Sequence, residues 1–219
     1  MRSEKNPVLI RAFIQARMSS ERFPAKVLAP LNGRPVIAHV VSRITQAIPA
    51  ERITVATSAE ESDDPLSHYV RGMGISVYRG SLEDVFARFR SCLEEFPCAW
   101  FFRICADSPL LDPRMLRTML AYSDRSDLDL VTNIFPRTFP KGRSVEMLLS
   151  RTFAAIDPTR LSADDREHVT RFYYNHPNEF KIFNIASTEQ TPASVSLALD
   201  TITDLNELTR LLQQGNEPQ

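Results

Sequence analysis

Short apolar runs rich in β-branched and aromatic residues alternate along this chain with longer stretches whose apolar positions recur every three to four residues. "VLIRAFI" is followed by "PVIAHVVSRITQAI", "RITVATS" by "DDPLSHYVRGM", "ISVYRG" by "LEDVFARFRSCLEEF" and "AWFFRICA" by "DPRMLRTMLAY", with "LDLVTNI" closing the series. Runs of the first kind fit buried strands, and a period of 3.6 fits amphipathic helices. The repeated pairing predicts βαβ units, hence an α/β fold with a mostly parallel sheet and helices on both faces.

Helix starts are marked by Pro35, which suits a first helical position, and by Asp112-Pro113, which reads as an N-cap followed by Pro. In open parallel sheets, ligands bind in the crevice beyond the carboxyl ends of the strands, which points to residues 15–26, 57–64, 79–84 and 106–112. After Asn133 the alternation breaks. "FPRTFPKGRSVEML" is punctuated by Pro and reads as extended, helical stretches are expected at 151–156 and 164–175, "FKIFNIAS" and "SVSLALD" read as strands, and "LNELTRLLQQ" reads as a closing helix. The expected organisation is a single domain, 1–219, with 134–190 as an excursion serving acceptor binding and dimerisation. No repeat or low-complexity segment interrupts it.

Composition sharpens this picture in two places. The 26 basic and 27 acidic residues give a formal charge of -1, so nothing global attracts nucleic acid or an anionic membrane, and any basic cluster is local. Cys92, Cys98 and Cys105 include no C-x-x-C pair and no nearby histidine set, which argues against a disulfide framework or a zinc site and for buried free thiols. The opening "MRSEKNPVLIRAFI" is too short in its apolar part, and is interrupted by Arg11, to be a signal peptide or a membrane span; the expectation is a cytoplasmic protein.

The local cluster is "FIQARMSSERFPAKVL", which places Arg17, Arg22 and Lys26 on a loop directly after the first apolar run. A triphosphate carries about four negative charges and is held by backbone N–H groups, by Lys as a point charge and by Arg as a planar fork. Three cations spaced by small Ala16, Ser19, Ser20 and Ala25 meet that need, and so does a merely solvated basic loop. Neither G-x-x-x-x-G-K-[ST] nor G-x-G-x-x-G is present.

The longer stretch "QARMSSERFPAKVLAPLNGRPVIAHVVSR" resembles the opening motif of the cytidylyltransferase family that includes 3-deoxy-manno-octulosonate and acylneuraminate cytidylyltransferases. The likeness is greatest to the branch named after a spore coat polysaccharide biosynthesis protein. It continues through "VATS", "GSLEDVFARF", "RICADSPLLDP", "TNIFPRTFPKG", "REHVT" and "LDTITDL", over nearly the whole chain. The resemblance implies a Rossmann-like, glycosyltransferase-A-type nucleotidyltransferase fold whose opening loop wraps a nucleoside triphosphate. Arg17, Met18, Ser19, Ser20, Arg22, Lys26 and Arg103 would then contact the nucleotide, with Lys26 stabilising charge during transfer. Family members usually carry Gly before this Lys, where Ala25 stands.

Transfer of this kind uses a divalent cation, and Mg²⁺ takes one or two carboxylates plus phosphate oxygens and water. Asp107 ends "AWFFRICAD" before Ser108-Pro109, and Asp200 ends "SVSLALD" before a helical segment. Alone, each reads more often as a turn or cap residue than as a ligand. They fall where the resembled family keeps its metal-binding aspartates, which implies Mg²⁺ as cofactor, with Ile202 and Thr203 replacing the usual Pro and Glu. For the acceptor, Arg137, Arg143 and Glu146 lie on one candidate segment and Arg166, Glu167 and His168 on another. The first reads also as a projecting arm for a homodimer, and His168 also as a helix residue satisfied by packing. Relatives often have an acid where Ser144 stands. Asp84 and Arg88 suit either the nucleotide base or a helix cap.

These readings converge on a Mg²⁺-dependent transfer of CMP from CTP, or the corresponding transfer from another nucleoside triphosphate, to a sugar acid, by a homodimer without nucleic-acid or membrane partners. A glycosyltransferase of the same fold and a catalytically silent nucleotide- or sugar-binding protein are the rivals.

Overall fold

A computed structural model describes residues 8–187 and 196–214. In chain order its strands are β1 (Ile10–Gln15), β2 (Pro30–Leu31), β3 (Arg34–Pro35), β4 (Ile53–Ser58), β5 (Ser76–Gly80), β6 (Trp100–Cys105), β7 (Leu130–Thr132), β8 (Glu146–Leu149) and β9 (Ile182–Asn184). The α-helices are α1 (Val36–Ile44), α2 (Asp64–Gly72), α3 (Val85–Glu95), α4 (Pro113–Leu120), α5 (Ser150–Ala155), α6 (Ala163–Glu167), α7 (Arg171–Asn175) and α8 (Ile202–Gln213).

Apart from the small β2–β3 hairpin, the strands form one sheet in the order β5-β4-β1-β6-β8-β7-β9. β5, β4, β1 and β6 pair in parallel, with Ile14 opposite both Val55 and Ile104. β8 is antiparallel to both of its neighbours, β6 and β7, and β9 runs parallel to β7. Every crossover that links the first four parallel strands contains a helix, as parallel pairing requires.

Alternation along β1 sorts the core into two layers. Ala12 and Ile14 pack with Ile37, Val40 and Val41 of α1, Leu66 and Val70 of α2, and Leu116 and Met119 of α4. Phe13 faces the other way, among Phe86 and Phe89 of α3, Phe101, Phe153 of α5 and Phe172 of α7. Asp112 caps α4 by accepting from the Arg114 N–H, with Pro113 as the first helical residue, whereas Pro35 is the cap of α1 and not its first residue.

Three expectations are corrected. The helix anticipated over 164–175 is two short helices, α6 and α7, broken at His168–Thr170. "SVSLALD" forms no strand among its described residues; Ser196 makes only an isolated bridge with Lys141, and its first two residues lie outside the described set. Residues 134–190 are not wholly an excursion, because β8 and β9 within them complete the main sheet. Phe139 is buried in the core, which leaves Phe135, stacked on Tyr174 at 4.7 Å, as the exposed aromatic of that segment. All three cysteines are free.

Candidate active site

The loop leaving β1 is folded on the backbone of Met18, whose carbonyl accepts from the N–H groups of Ser20 (3.0 Å) and Ala25 (2.8 Å). This turns the chain back so that a 3₁₀ turn over Lys26–Leu28 begins beside the sheet edge. Ala25 at the bend has φ 60° and ψ 16°, the left-handed conformation that Gly adopts without cost. A Gly at this position would adopt the bend without strain, whereas Ala25 adopts it at a cost.

Lys26 is the point on which three distant segments meet. Its ammonium donates to the Leu199 carbonyl at 2.7 Å, to Asp200 Oδ1 at 3.0 Å and to Asp107 Oδ2 at 3.3 Å. Asp107 arrives from the end of β6. Asp200 arrives on an irregular segment secured by the Leu197 N–H to the Lys141 carbonyl (2.7 Å) and the Leu199 N–H to the Asp107 carbonyl (2.8 Å). Gly142 makes that crossing possible, since a Cβ there would lie 2.4 Å from the Leu197 carbonyl carbon, and its φ is +88°. Leu197 and Leu199 are buried with Leu205 and Leu208 of α8, so the helix clamps the segment from behind.

Asp200 does not cap α8. Thr201 and Asp204 form the capping box, which leaves the Asp200 carboxylate to Lys26 and to Arg22 at 3.0 Å. Burial pushes its pKa up, but the hydrogen bond and charge of Lys26, joined by Arg22, outweigh it and hold the group below the ordinary 3.8. Asp107 and Asp200 thus present two carboxylates to one cationic centre.

These groups line a cleft of about 580 Å³. Arg17, Ser20 and Arg22 form its loop side, and Arg103 with Asp107 forms the sheet side. Glu167 and His168, at the end of α6, form a third wall, with Glu167 3.5 Å from Arg17. Arg17, Arg22 and Lys26 are paired with the cleft's own acids, so a polyanion that takes these cations leaves the Asp107 and Asp200 carboxylates open to another cation.

The sequence profile of the cytidylyltransferase family matches residues 11–216, a span that contains every one of these segments. The chain belongs to the cytidylyltransferase family. It is a nucleotidyltransferase. A spore coat polysaccharide biosynthesis protein, SpsF, of Bacillus subtilis is 32% identical over 214 residues, covering 93% of this chain and 86% of that protein. Among solved structures, a cytidylyltransferase from Leptospira borgpetersenii matches with a TM-score of 0.86 at 23% identity, over 97% of this chain and 98% of its own. A CMP:2-keto-3-deoxy-manno-octonic acid synthetase solved with CTP matches with a TM-score of 0.71 at 18% identity, over 94% and 99%. Both structures share the α/β nucleotidyltransferase fold described above.

Other sequence-selected residues of this cytidylyltransferase lie differently from what their spacing suggested. Asp84 caps α3 through the Ala87 N–H and pairs with Arg166, which also donates to the Pro158 carbonyl; none of the three lines the cleft. Arg88 is 1% exposed and donates to the Ser81 carbonyl; burial lowers its pKa to about 10. Glu146 lies within β8, where it accepts from Arg103 Nη1 at 3.2 Å and from the Tyr174 hydroxyl, so it orients Arg103 and does not face the cleft. Arg143 is buried and sets its carbonyl against the Asn133 amide. Arg137 donates to Ser144 Oγ at 3.0 Å, outside the cleft lining. Ser19 is exposed, outside the cleft lining.

Sequence reading missed Gln15, which accepts from Arg103 Nη2 at 2.7 Å, and Asp63, which is fully buried beneath the loop. Gln15 was visible as the last residue of the first strand. Asp63 stood inside the 57–64 crevice segment, but nothing in "SAEESDD" distinguishes it from its acidic neighbours.

Proposed function

We propose that the enzyme transfers CMP from CTP to a hydroxyl of a small sugar acid. The acceptor oxygen bonds to the α-phosphorus, the bond from that phosphorus to the β-bridging oxygen breaks, pyrophosphate leaves, and the hydroxyl proton is released. One observation carries this reading: Lys26, Asp107 and Asp200 converge from three parts of the chain on a cleft walled by Arg17 and Arg22. Charge and positioning of this kind are what phosphoryl-type transfer demands. Cytosine as the base and a sugar acid as acceptor are supported by the family and by the relatives' printed activities.

Asp107 and Asp200 would hold Mg²⁺. Among the described residues no three acidic, histidine or cysteine side chains are placed to hold a metal ion together, and two carboxylates suffice for an ion that takes its other ligands from phosphate and water. The fit is supported by the Lys26 ammonium, a cation already seated between the two carboxylates. When bound, the ion would neutralise phosphate charge and polarise the α-phosphorus. Lys26 and Arg22 would then turn to the triphosphate, and Arg17 would hold its outer end.

We further assign a homodimer to which the 137–146 segment contributes, with exposed Phe135 flanking it, and action in the cytoplasm. No helix among the described residues is long and apolar enough to cross a membrane. The test is pyrophosphate release from each of the four nucleoside triphosphates against a panel of sugar acids and phosphorylated small molecules, with and without Mg²⁺. Release with CTP and a sugar acid, dependent on the metal, is expected. Sugar transfer from a nucleotide sugar in place of pyrophosphate release would install the glycosyltransferase reading. Binding without turnover across the panel would install the silent one.

A further inference from the structure

We propose that Asp63 is the positioning residue of the nucleotide loop, anchoring Met18 so that Lys26 and the loop arginines face the cleft. The inference rests on reading residues 17–26 as the triphosphate-binding loop. Asp63 is 0% exposed and belongs to a 3₁₀ turn just before α2, across β4 from the loop. Its Oδ1 accepts from the Met18 N–H at 2.7 Å. Its Oδ2 accepts from the Ser58 N–H at 2.9 Å, from Thr57 Oγ1 at 2.7 Å and from the Ser58 hydroxyl.

The chain of contacts continues to the chemistry. Met18, held by its N–H, accepts through its carbonyl from the Ala25 N–H, and Ala25 is the strained residue that precedes Lys26. One carboxylate therefore sets the position of the turn on which the catalytic ammonium rides. Burial raises the Asp63 pKa, yet the hydrogen bonds from Ser58, Met18 and Thr57 outweigh it and keep the group ionised. Arg88, buried nearby, contributes a favourable charge.

Only a carboxylate satisfies this arrangement. Each oxygen faces a backbone N–H, Met18 on one side and Ser58 on the other, so an amide in either orientation sets its own NH₂ against one of them. Asp63→Asn therefore leaves one of the two backbone contacts standing, whereas Asp63→Ala removes both oxygens and breaks the Met18 anchor outright. Thr57→Val removes a donor to the same carboxylate and leaves the Met18 contact intact.

The experiment measures amide hydrogen exchange by NMR together with kinetics. In Asp63→Ala, exchange at Met18 and Ala25 is expected to accelerate about tenfold more than at core amides such as Phe13, the factor that corresponds to one unsatisfied buried N–H. Steady-state assays are expected to show kcat lowered about tenfold with KM for CTP raised as well, whereas Thr57→Val alters stability and neither kinetic constant. If Asp63→Ala is folded with wild-type exchange at Met18 and wild-type kcat and KM, the proposal is overturned. Should that variant not fold, the wild-type protein decides: Met18 exchanging as fast as an unprotected amide refutes the anchor, and slow exchange supports it. The exchange measurement uses no nucleotide, so failure of the CTP reading is distinguishable from failure of this one.

Discussion

Lys26→Met should improve metal binding and damage catalysis at once. The side chain keeps its length and loses its charge, which removes the cation seated between Asp107 and Asp200. In the wild type a divalent ion approaching the nucleotide-free site must break two charge-assisted hydrogen bonds, at 3.0 and 3.3 Å. Between carboxylates about one-third exposed the two bonds together contribute about 1 kcal/mol net, so their prior loss should tighten Mn²⁺ binding by about that amount, on the order of fivefold. Both carboxylates are about one-third exposed and Asp200 keeps Arg22, so the cost in fold stability is only about 1 kcal/mol. Turnover should fall by about 10² to 10³, the cost of removing one preorganised stabiliser of developing charge. Isothermal titration of Mn²⁺ into nucleotide-free protein reads the first effect, and pyrophosphate release at saturating CTP reads the second. Unchanged or weaker Mn²⁺ binding in Lys26→Met would show that the ammonium does not hold the metal's place. A raised KM with kcat intact would make Lys26 a binding residue only.

Asp107→Asn and Asp200→Asn should each abolish turnover by about 10² or more while metal-free CTP still binds the basic loop, measured by titration and kinetics. Ala25→Gly should relieve the left-handed strain and raise stability by about 0.5–1 kcal/mol in denaturant unfolding; an unchanged midpoint would show the bend is not strained. Gly142→Ala should cost about 3 kcal/mol, because its Cβ would meet backbone at 2.4 Å, and should lower kcat by displacing Asp200; wild-type kcat would show that the crossing yields. Asp63 and Asp200 both have folded pKa values below the ordinary 3.8, so their stabilisation is complete above that value and is lost as pH falls through the depressed values. Acid unfolding followed by circular dichroism between about pH 4 and pH 2 should therefore flatten in Asp63→Asn, and an unaltered slope would contradict the assignment.

The sheet was legible because burial dictates it. Strands β1, β4 and β6 are covered on both faces, so they read as largely apolar runs, and the helices between them carry single apolar stripes. The basic loop was legible for the opposite reason: three cations beside a strand end have no packing role. Asp200 could be found in sequence but its support could not, since Gly142 and Lys141 hold it across a gap of more than fifty residues by backbone contacts that leave no compositional trace. Glu146 and Asp84 misled because a buried acid serving an arginine and a helix cap look the same in sequence as acids serving a ligand. Asp63 was hidden among acidic neighbours that face water.

The separation in sequence of the three central groups also sets an order of events during folding. Lys26 and Asp107 are 81 residues apart, and Lys26 and Asp200 are 174 apart. Closing the longer loop costs about 0.7 kcal/mol more in chain entropy, a small difference thermodynamically. Kinetically it means more, because a chain emerging from the ribosome displays the phosphate loop and the first aspartate long before the second exists. A partly made or partly folded chain carries cations for a nucleotide but only half of a metal site, so it can hold its substrate without consuming it. Recovery of turnover during refolding would then lag behind recovery of the sheet, and specific activity would count only those molecules whose last segment has docked.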